Sequence, residues 1–365
     1  MYDFLIVGAG LYGSTFAQKA IEAGKRVLVV DIRDHIAGNC FTERIGTIDV
    51  HKYGPHIFHT SNDDVWNYVN RFARFNSYQH RGCANSGGKL YSFPINLLTL
   101  NQVYGITTPQ QAEELLLGFH KESVEKRLDN LEDWAVSMIG KRLYEMFVKG
   151  YTQKQWGRDP KELPASIIRR IPVRCDYNDL YFNDKYCGIP VDGYTDMVKN
   201  MLTGADVELG FDYLKNRDRY SAHHTIFTGP IDAYYNFKYG KLEYRTLRFE
   251  YETYQMRSYQ GVSIVNYSDT SVPYTRITEH KHFVPERGSD NTIITKEYSD
   301  EWTHGKEPYY PIACIRNKAM HQYYQNLSNS ESHVTFGGRL GTYQYYDMHQ
   351  VIAQALTAAK KILNK

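Results

Sequence analysis

The sequence predicts an α/β protein in which one α/β unit is interrupted twice, by a helical insertion and by an antiparallel β insertion. Three observations carry this. The chain opens on strand, Gly-rich turn, helix and strand; its middle reads as helices without strand alternation; and from about Glu243 the apolar period becomes two. A chain of 365 residues is long enough for two or three structural units.

Asp3 to Val7 is a short apolar run that leads into Gly8-Ala9-Gly10-Leu11-Tyr12-Gly13. Gly8 permits a tight turn, Gly10 lets backbone approach a pyrophosphate, and Gly13 lets the helix pack close to the strand. The helix through Ala17, Ala20 and Ile21 then points free N–H groups and partial positive charge at the phosphates. Arg26 to Val30 is the second strand. Asp31 follows 18 residues after Gly13, where a carboxylate accepts both hydroxyls of an adenosine ribose and repels a 2′-phosphate. Strand, helix and acid agree on a bound dinucleotide and disfavour NADP; they leave FAD and NAD open.

Arg33 to Asn39 is a loop with a small-residue turn, Thr47 to His51 a strand, and Asn62 caps a helix carrying Val65, Val69 and Phe72. Thr108-Pro109 opens a helix running through Leu115 to Val124. Another starts near Leu131, with Trp134, Met138, Leu143 and Phe147 on one side and Gly150 as its stop. Leu247, Phe249 and Tyr251 alternate with charged residues, and short strands follow at 262–267, 274–278 and 292–298. Thr225 to Gly229 and Val334 to Arg339 return to the first unit as strands ending in Gly turns. The last helix opens at Asp347 and buries Val351, Ile352, Ala355, Leu356 and Ile362, an arrangement that favours FAD over NAD. The expected division is 1–78 with 186–235 and 312–365 for the dinucleotide unit, 79–165 for the helices, and 166–185 with 236–311 for the sheet.

Net charge is +2, so nothing points to nucleic acid or a membrane surface as partner. No run of 18 apolar residues and no leader segment is read, and the location expected is cytoplasmic. Cys40, Cys83, Cys175, Cys187 and Cys314 are scattered and odd in number, which suits a reducing compartment and argues against structural zinc. His51, His56 and His59 do not have zinc-helix spacing because Gly54 and Pro55 interrupt them; no metal site is expected. The 32 tyrosines offer stacking faces with hydroxyls, suited to nucleotides and sugars. Phe147, Tyr151 and Trp156 followed by Arg169, Arg170 and Arg174 combine stacking faces with phosphate-gripping guanidiniums, although a helix end with solvated arginines has the same spacing. Arg276 lies mid-strand, where a surface role is the commoner one. No nucleophile or paired-carboxylate motif is present, so in an enzyme the cofactor performs the hard step.

These residues resemble one family over essentially the whole chain, the bacterial UDP-galactopyranose mutases. The resemblance rests on GAGLYG, Gly38-Asn39, HKYGPHIFHT (51–60), GYTQKQWG (150–157), KELPASIIRRIPVR (161–174), YFNDKYCGIPVDGY (181–194), TGPID (228–232), VPYTRITEHKHF (272–283), EPYYP (307–311) and GGRLGTYQYYDMHQ (337–350). It implies an FAD-binding Rossmann-like domain with an inserted helical bundle and an inserted twisted antiparallel sheet. It also implies a homodimer acting on UDP-galactose, pyranose and furanose, through a covalent flavin N5–sugar adduct on reduced FAD, supplying galactofuranose for surface glycans.

The resemblance assigns the catalytic roles to Arg170, Arg276 and His56, with Arg170 on a mobile loop at about 162–175. Substrate would be bound by Phe147, Tyr151, Trp156, Tyr181, Phe182, Tyr310, Tyr345 and His59 together with the two arginines. FAD would be held by Gly8, Gly10, Leu11, Gly13, Asp31, Arg33, Gly38 and Asn39, and by His56, Gly338, Arg339, Tyr346, Asp347 and Met348. His80 stands where some members carry asparagine and is left outside this set. The segment 81–89 also departs from the family pattern, which leaves selectivity at the sugar 2-position, and so UDP-N-acetylgalactosamine, open. A flavin oxidase would share the dinucleotide unit but would not need convergent arginines and tyrosines. A non-catalytic nucleotide-sugar-binding flavoprotein would bind UDP and FAD without turnover.

Overall fold

The computed structural model describes residues 1–122, 128–169, 171–303, 305–312 and 314–364. The chain divides into two compact units, one of Met1–Ser77, Asp184–Arg245 and Trp302–Lys365, the other of Tyr78–Asn183 and Thr246–Glu301.

The first unit is built on a parallel sheet in the order Val334–Phe336, Ala222–Phe227, Tyr2–Val7, Val27–Val30, Asp206–Glu208. Leu5 aligns with Leu28 on one side and Thr225 on the other. Strand residues alternate faces, and this divides the core. Ile6, Val29 and Ile226 pack with Phe16, Ala17 and Ala20 of helix Leu11–Glu22 and with Ile352, Ala355 and Ala359 of helix Met348–Leu363. Leu5, Leu28, Val30 and Phe227 turn the other way, to Phe211, Tyr213 and Tyr234. Burying one such Phe or Leu side chain contributes about 1.5–3 kcal/mol.

The elements expected in this unit are present with small shifts. The strand expected at Thr47 starts at Ile48, and Asn62 caps Asp63–Val69 by accepting from the N–H groups of Asp64 and Val65. Phe72 lies past that helix but still packs on the core. On the last helix Val351, Leu356 and Ile362 are only partly buried, while Ala359 joins Ile352 and Ala355 in the interior.

In the second unit Thr108 caps Pro109–Lys121 in a capping box with Gln111; Val124 lies outside the described residues. Helix Leu131–Leu143 does not stop at Gly150. It runs on through a wider turn, Tyr144–Lys149, into Gly150–Trp156, and Gly157 at φ 63° ends it. Gly150 is helical, and a Cβ there would sit 2.4 Å from the Ser268 carbonyl oxygen, so this glycine serves a close approach of chain segments.

The sheet of this unit runs in the order Tyr244–Tyr254, Thr292–Glu301, Arg276–Glu279, Ile264–Tyr267, Gly82–Ser86, Lys89–Phe93. It is antiparallel where Arg276–Glu279 meets each of its neighbours, and parallel between Ile264–Tyr267 and Gly82–Ser86. The hairpin 82–93 was not anticipated. Its signal was present: Gly87 and Gly88, at φ 60° and 79°, form the two-residue turn that joins paired Ser86 and Lys89. Among the described residues, no helix is long and apolar enough to cross a membrane.

Candidate active site

Each glycine of the first turn has its own reason. Gly8 has φ 112°, and a Cβ on it would strike Thr228 Oγ1 at 2.0 Å. A Cβ on Gly13 would lie 2.0 Å from the Gly8 carbonyl oxygen, so only glycine lets the helix pack this close to the turn. Gly10, the N-cap residue, differs. Its Cβ would meet nothing nearer than the Gly38 Cα at 3.8 Å, so no protein atom demands glycine there. A glycine facing open space at the positive end of a 12-residue helix is what a pyrophosphate requires.

Asp31 is used by the protein as well. One carboxylate oxygen accepts the Ala9 N–H at 2.7 Å and the other the Arg33 N–H at 2.9 Å, which fixes the turn. Gly8, Gly10, Leu11, Gly13 and Asp31 line a cavity of about 500 Å³, as do Arg33, Gly38, Asn39 and His56. Gly338, Arg339 and Met348 line it too. Tyr346 and Asp347 stand one step back: the Tyr346 carbonyl accepts Arg339 Nε at 2.6 Å, and Asp347 caps the last helix in a capping box with Gln350.

Arg33 is the most constrained charge in this cavity. Its Nη2 donates to Asn39 Oδ1 and Glu307 Oε2, both at 2.8 Å, and the guanidinium lies 4.5 Å from the Tyr53 ring centroid. Its Nη1 is buried without an acceptor among the described residues. A buried donor on a cavity wall asks for an acceptor from a ligand, and with the open space at Gly10 it shows that the cradle fits a dinucleotide. Sequence reading missed Thr228, Phe211–Leu214 and Gly305–Pro308 as walls of this cavity. Thr228 and Glu307 lie in quoted motifs, whereas Phe211–Leu214 carry no motif and only the packing brings them in.

The three histidines have distinct roles. His51 is buried and accepts the His56 N–H at Nδ1, 3.0 Å, which is a structural contact. His56 lines the cavity and donates from Nδ1 to the Gly54 carbonyl at 2.8 Å. His59 bonds through Nδ1 to Asp184 at 2.6 Å. In the same unit Tyr310 and Tyr345 lie 5.7 Å apart, and the Arg339 guanidinium stacks 4.8 Å from the Tyr345 ring.

In the second unit Arg276 and Tyr151 come together. Arg276 Nη2 donates to the Tyr151 hydroxyl at 3.1 Å, and its Nε lies 3.2 Å from Glu297 Oε1 across the paired strands. Burial raises the Glu297 carboxyl above its usual range, and Arg276 opposes that rise. Lys154, one turn from Tyr151, donates to the carbonyls of Tyr267, Val272 and Tyr274 at 2.8, 3.2 and 2.8 Å, holding the turn that precedes Arg276. Phe147 is buried, edge-on to Tyr91 at 5.2 Å, so it backs this region from the core. Trp156 is half-buried against the same core. Tyr181 and Phe182 pack edge to face at 5.0 Å with His80 beside Tyr181 at 5.1 Å. Burial, with Arg276 adding, pushes the His80 imidazole down to about 3, so this residue is neutral at physiological pH. Arg170 lies outside the described residues. Arg174 donates to the Leu180 carbonyl at 2.6 Å, a structural contact.

The sequence profile of UDP-galactopyranose mutases matches residues 146–345, more than half of the chain, and that of NAD(P)-binding Rossmann-like domains matches 6–72. The chain belongs to the UDP-galactopyranose mutase family. It is 44% identical to a probable UDP-galactopyranose mutase of Klebsiella pneumoniae, covering 99% of this chain and 95% of that one. It is also 40% identical to the dTDP-fucopyranose mutase of Escherichia coli, over 99% of this chain and 98% of the relative. Its fold matches a crystal structure of reduced UDP-galactopyranose mutase with a TM-score of 0.80 at 15% identity, covering 100% of this chain and 94% of that one. FAD is the dinucleotide that fits the cradle of this family member.

Proposed function

We propose that this protein interconverts UDP-galactopyranose and UDP-galactofuranose with reduced FAD in the Gly-rich cradle. The observation that carries the reading is 44% identity over the full chain to a mutase, in a chain whose own cradle leaves the pyrophosphate space open at Gly10. Reduced FAD, when bound, supplies the nucleophile for the anomeric carbon. The chain's residues do the rest. Arg276, with Arg170, carries the charge of the departing diphosphate, and Tyr151 aligns that guanidinium through its hydroxyl. Tyr181, Phe182, Tyr310, Tyr345 and Trp156 bind nucleotide and sugar, with Phe147 supporting from the core. His56 and His59 serve the cofactor and sugar sides. Three functional parts remain our division of the chain, with the helices and the sheet of the second unit counted separately. The protein acts as a cytoplasmic homodimer in this reading, and its five cysteines, scattered and odd in number, suit a reducing compartment.

The test is product analysis of UDP-galactofuranose incubated with FAD-loaded protein, with and without dithionite. Conversion to the pyranose only after reduction is expected; no conversion in either state overturns the assignment. The Escherichia coli relative favours a second reading, in which the substrate is a thymidine diphosphate of a 6-deoxy sugar. Running dTDP-fucofuranose and UDP-N-acetylgalactosamine beside UDP-galactofuranose ranks the substrates by kcat/KM.

A further inference from the structure

Contraction of a six-membered sugar ring to a five-membered one has a fixed proton balance. The C1–O5 bond breaks and the C1–O4 bond forms, so O4 loses a proton and O5 gains one. The uridine diphosphate that leaves returns, and nothing is oxidised or reduced overall. A group that can accept one proton and give one back therefore serves both directions of the reaction.

Two histidines of the first unit were assigned to the site, and their Nδ1 partners separate them. His56 donates to a neutral acceptor, the Gly54 carbonyl. His59 faces a carboxylate, Asp184 Oδ2, at 2.6 Å. Burial would raise the Asp184 carboxyl, but the hydrogen bonds from His59 and Ser61 outweigh it and hold the group below its ordinary value. An ionised carboxylate can only accept, so Nδ1 of His59 carries the hydrogen and Nε2 becomes the nitrogen that exchanges protons. The carboxylate also supports the charge of the imidazolium, which a backbone carbonyl does far less well.

The surroundings keep this pair in place. Asp184 is held at its other oxygen by Ser61 at 2.8 Å, and Ser61 accepts the Lys185 N–H at 3.2 Å. His59 lies on a short strand paired with Tyr186–Gly188, which begins two residues after Asp184. His349 stands edge-on over the His59 ring at 5.0 Å, one residue beyond Met348 of the cavity wall. Burial, and then the neighbouring His59, lower the His349 imidazole. Among the described residues, Asp184 lies on one side of His59 and a His349 disposed to neutrality on another, with Lys185 engaged by Asp63.

The geometry points to Asp184 as a positioning residue that fixes the tautomer of His59 and supports its charge, so that His59 carries the proton between O4 and O5 of the sugar. This rests on the mutase reading above. The test uses FAD-loaded enzyme with 15N-labelled histidine, the His59 signals among 14 histidines being assigned by their loss in His59→Gln. Wild-type protein should show His59 protonated at Nδ1. In Asp184→Ala the tautomers should mix, and kcat per bound FAD should fall about 10–100-fold with KM moving much less. Asp184→Asn keeps an acceptor and the shape without the charge; it should restore the tautomer but not the rate. An unchanged tautomer in Asp184→Ala, or kcat per bound FAD within about twofold of wild type in both variants, overturns the proposal. If the reduced wild-type enzyme converts no nucleotide sugar, the mutase reading fails instead, and the tautomer result alone then decides the role of Asp184.

Discussion

Arg276→Ala tests the substrate half of this chemistry. In the folded chain the guanidinium meets the Tyr151 hydroxyl at 3.1 Å and lies 3.2 Å from Glu297, and in the proposed reaction it binds the diphosphate. A charge-assisted hydrogen bond contributes about 1.5–3 kcal/mol, so losing two costs about 3–6 kcal/mol and lowers kcat/KM by roughly 10²–10⁴. The substitution also removes the cation beside Glu297, a carboxyl already raised by burial. A carboxyl whose folded pKa is raised favours the fold while protonated and loses that contribution as pH rises through the folded value. The variant should therefore lose thermal stability more steeply than wild type as pH rises above the ordinary carboxylate range, and adding Glu297→Gln should remove the difference. Turnover of UDP-galactofuranose after dithionite reduction, flavin absorbance per protein, and melting temperature against pH are the assays. Near wild-type turnover at full flavin content would refute the diphosphate role; a melting curve with unchanged pH dependence would refute the pairing with Glu297.

Three further predictions address the cradle and the sheet. Gly10→Ala should leave the melting temperature of flavin-free protein nearly unchanged while abolishing FAD retention, because its Cβ enters only the ligand's space; Gly13→Ala should destabilise the fold itself, with the Gly8 carbonyl 2.0 Å from the new atom. Burial would raise Glu279, but His282, Thr292 and the N–H groups of Gln260 and Tyr259 hold it down at about 2. Its stabilisation is complete above the ordinary carboxylate range and is lost as pH falls toward about 2, so Glu279→Gln should cost about 2–3 kcal/mol at pH 7 in urea unfolding and flatten the acid limb. Lys154→Met strands three carbonyl acceptors, which should cost about 2–3 kcal/mol and raise KM through the turn before Arg276, read by steady-state kinetics; an unchanged KM would count against that coupling.

Much of the first unit was legible because its signals are local. Gly8, Gly10 and Gly13 lie within six residues, and the conformations and clearances they permit depend on neighbouring backbone. Helix caps at Asn62 and Thr108 were equally visible, since a cap satisfies N–H groups two or three residues away. Gly150 misled for the opposite reason. Its missing Cβ answers to Ser268, more than a hundred residues on, and no local pattern distinguishes that from a helix stop. The Gly87-Gly88 hairpin was overlooked although its turn signal is local, because the strands it joins carry little alternation.

By itself the sequence determined the dinucleotide-binding start, the change of period that marks the second unit, and the family to which its motifs point, all from short-range chemistry. Tertiary structure decided what side chains separated along the chain do to one another. It placed Asp184 on His59 across 125 positions, Glu297 beside Arg276 on the next strand, and Glu307 on Arg33 at the cavity wall. A hydrogen bond forms only when donor and acceptor lie within a few ångströms, and only folding brings residues so distant in sequence to that range.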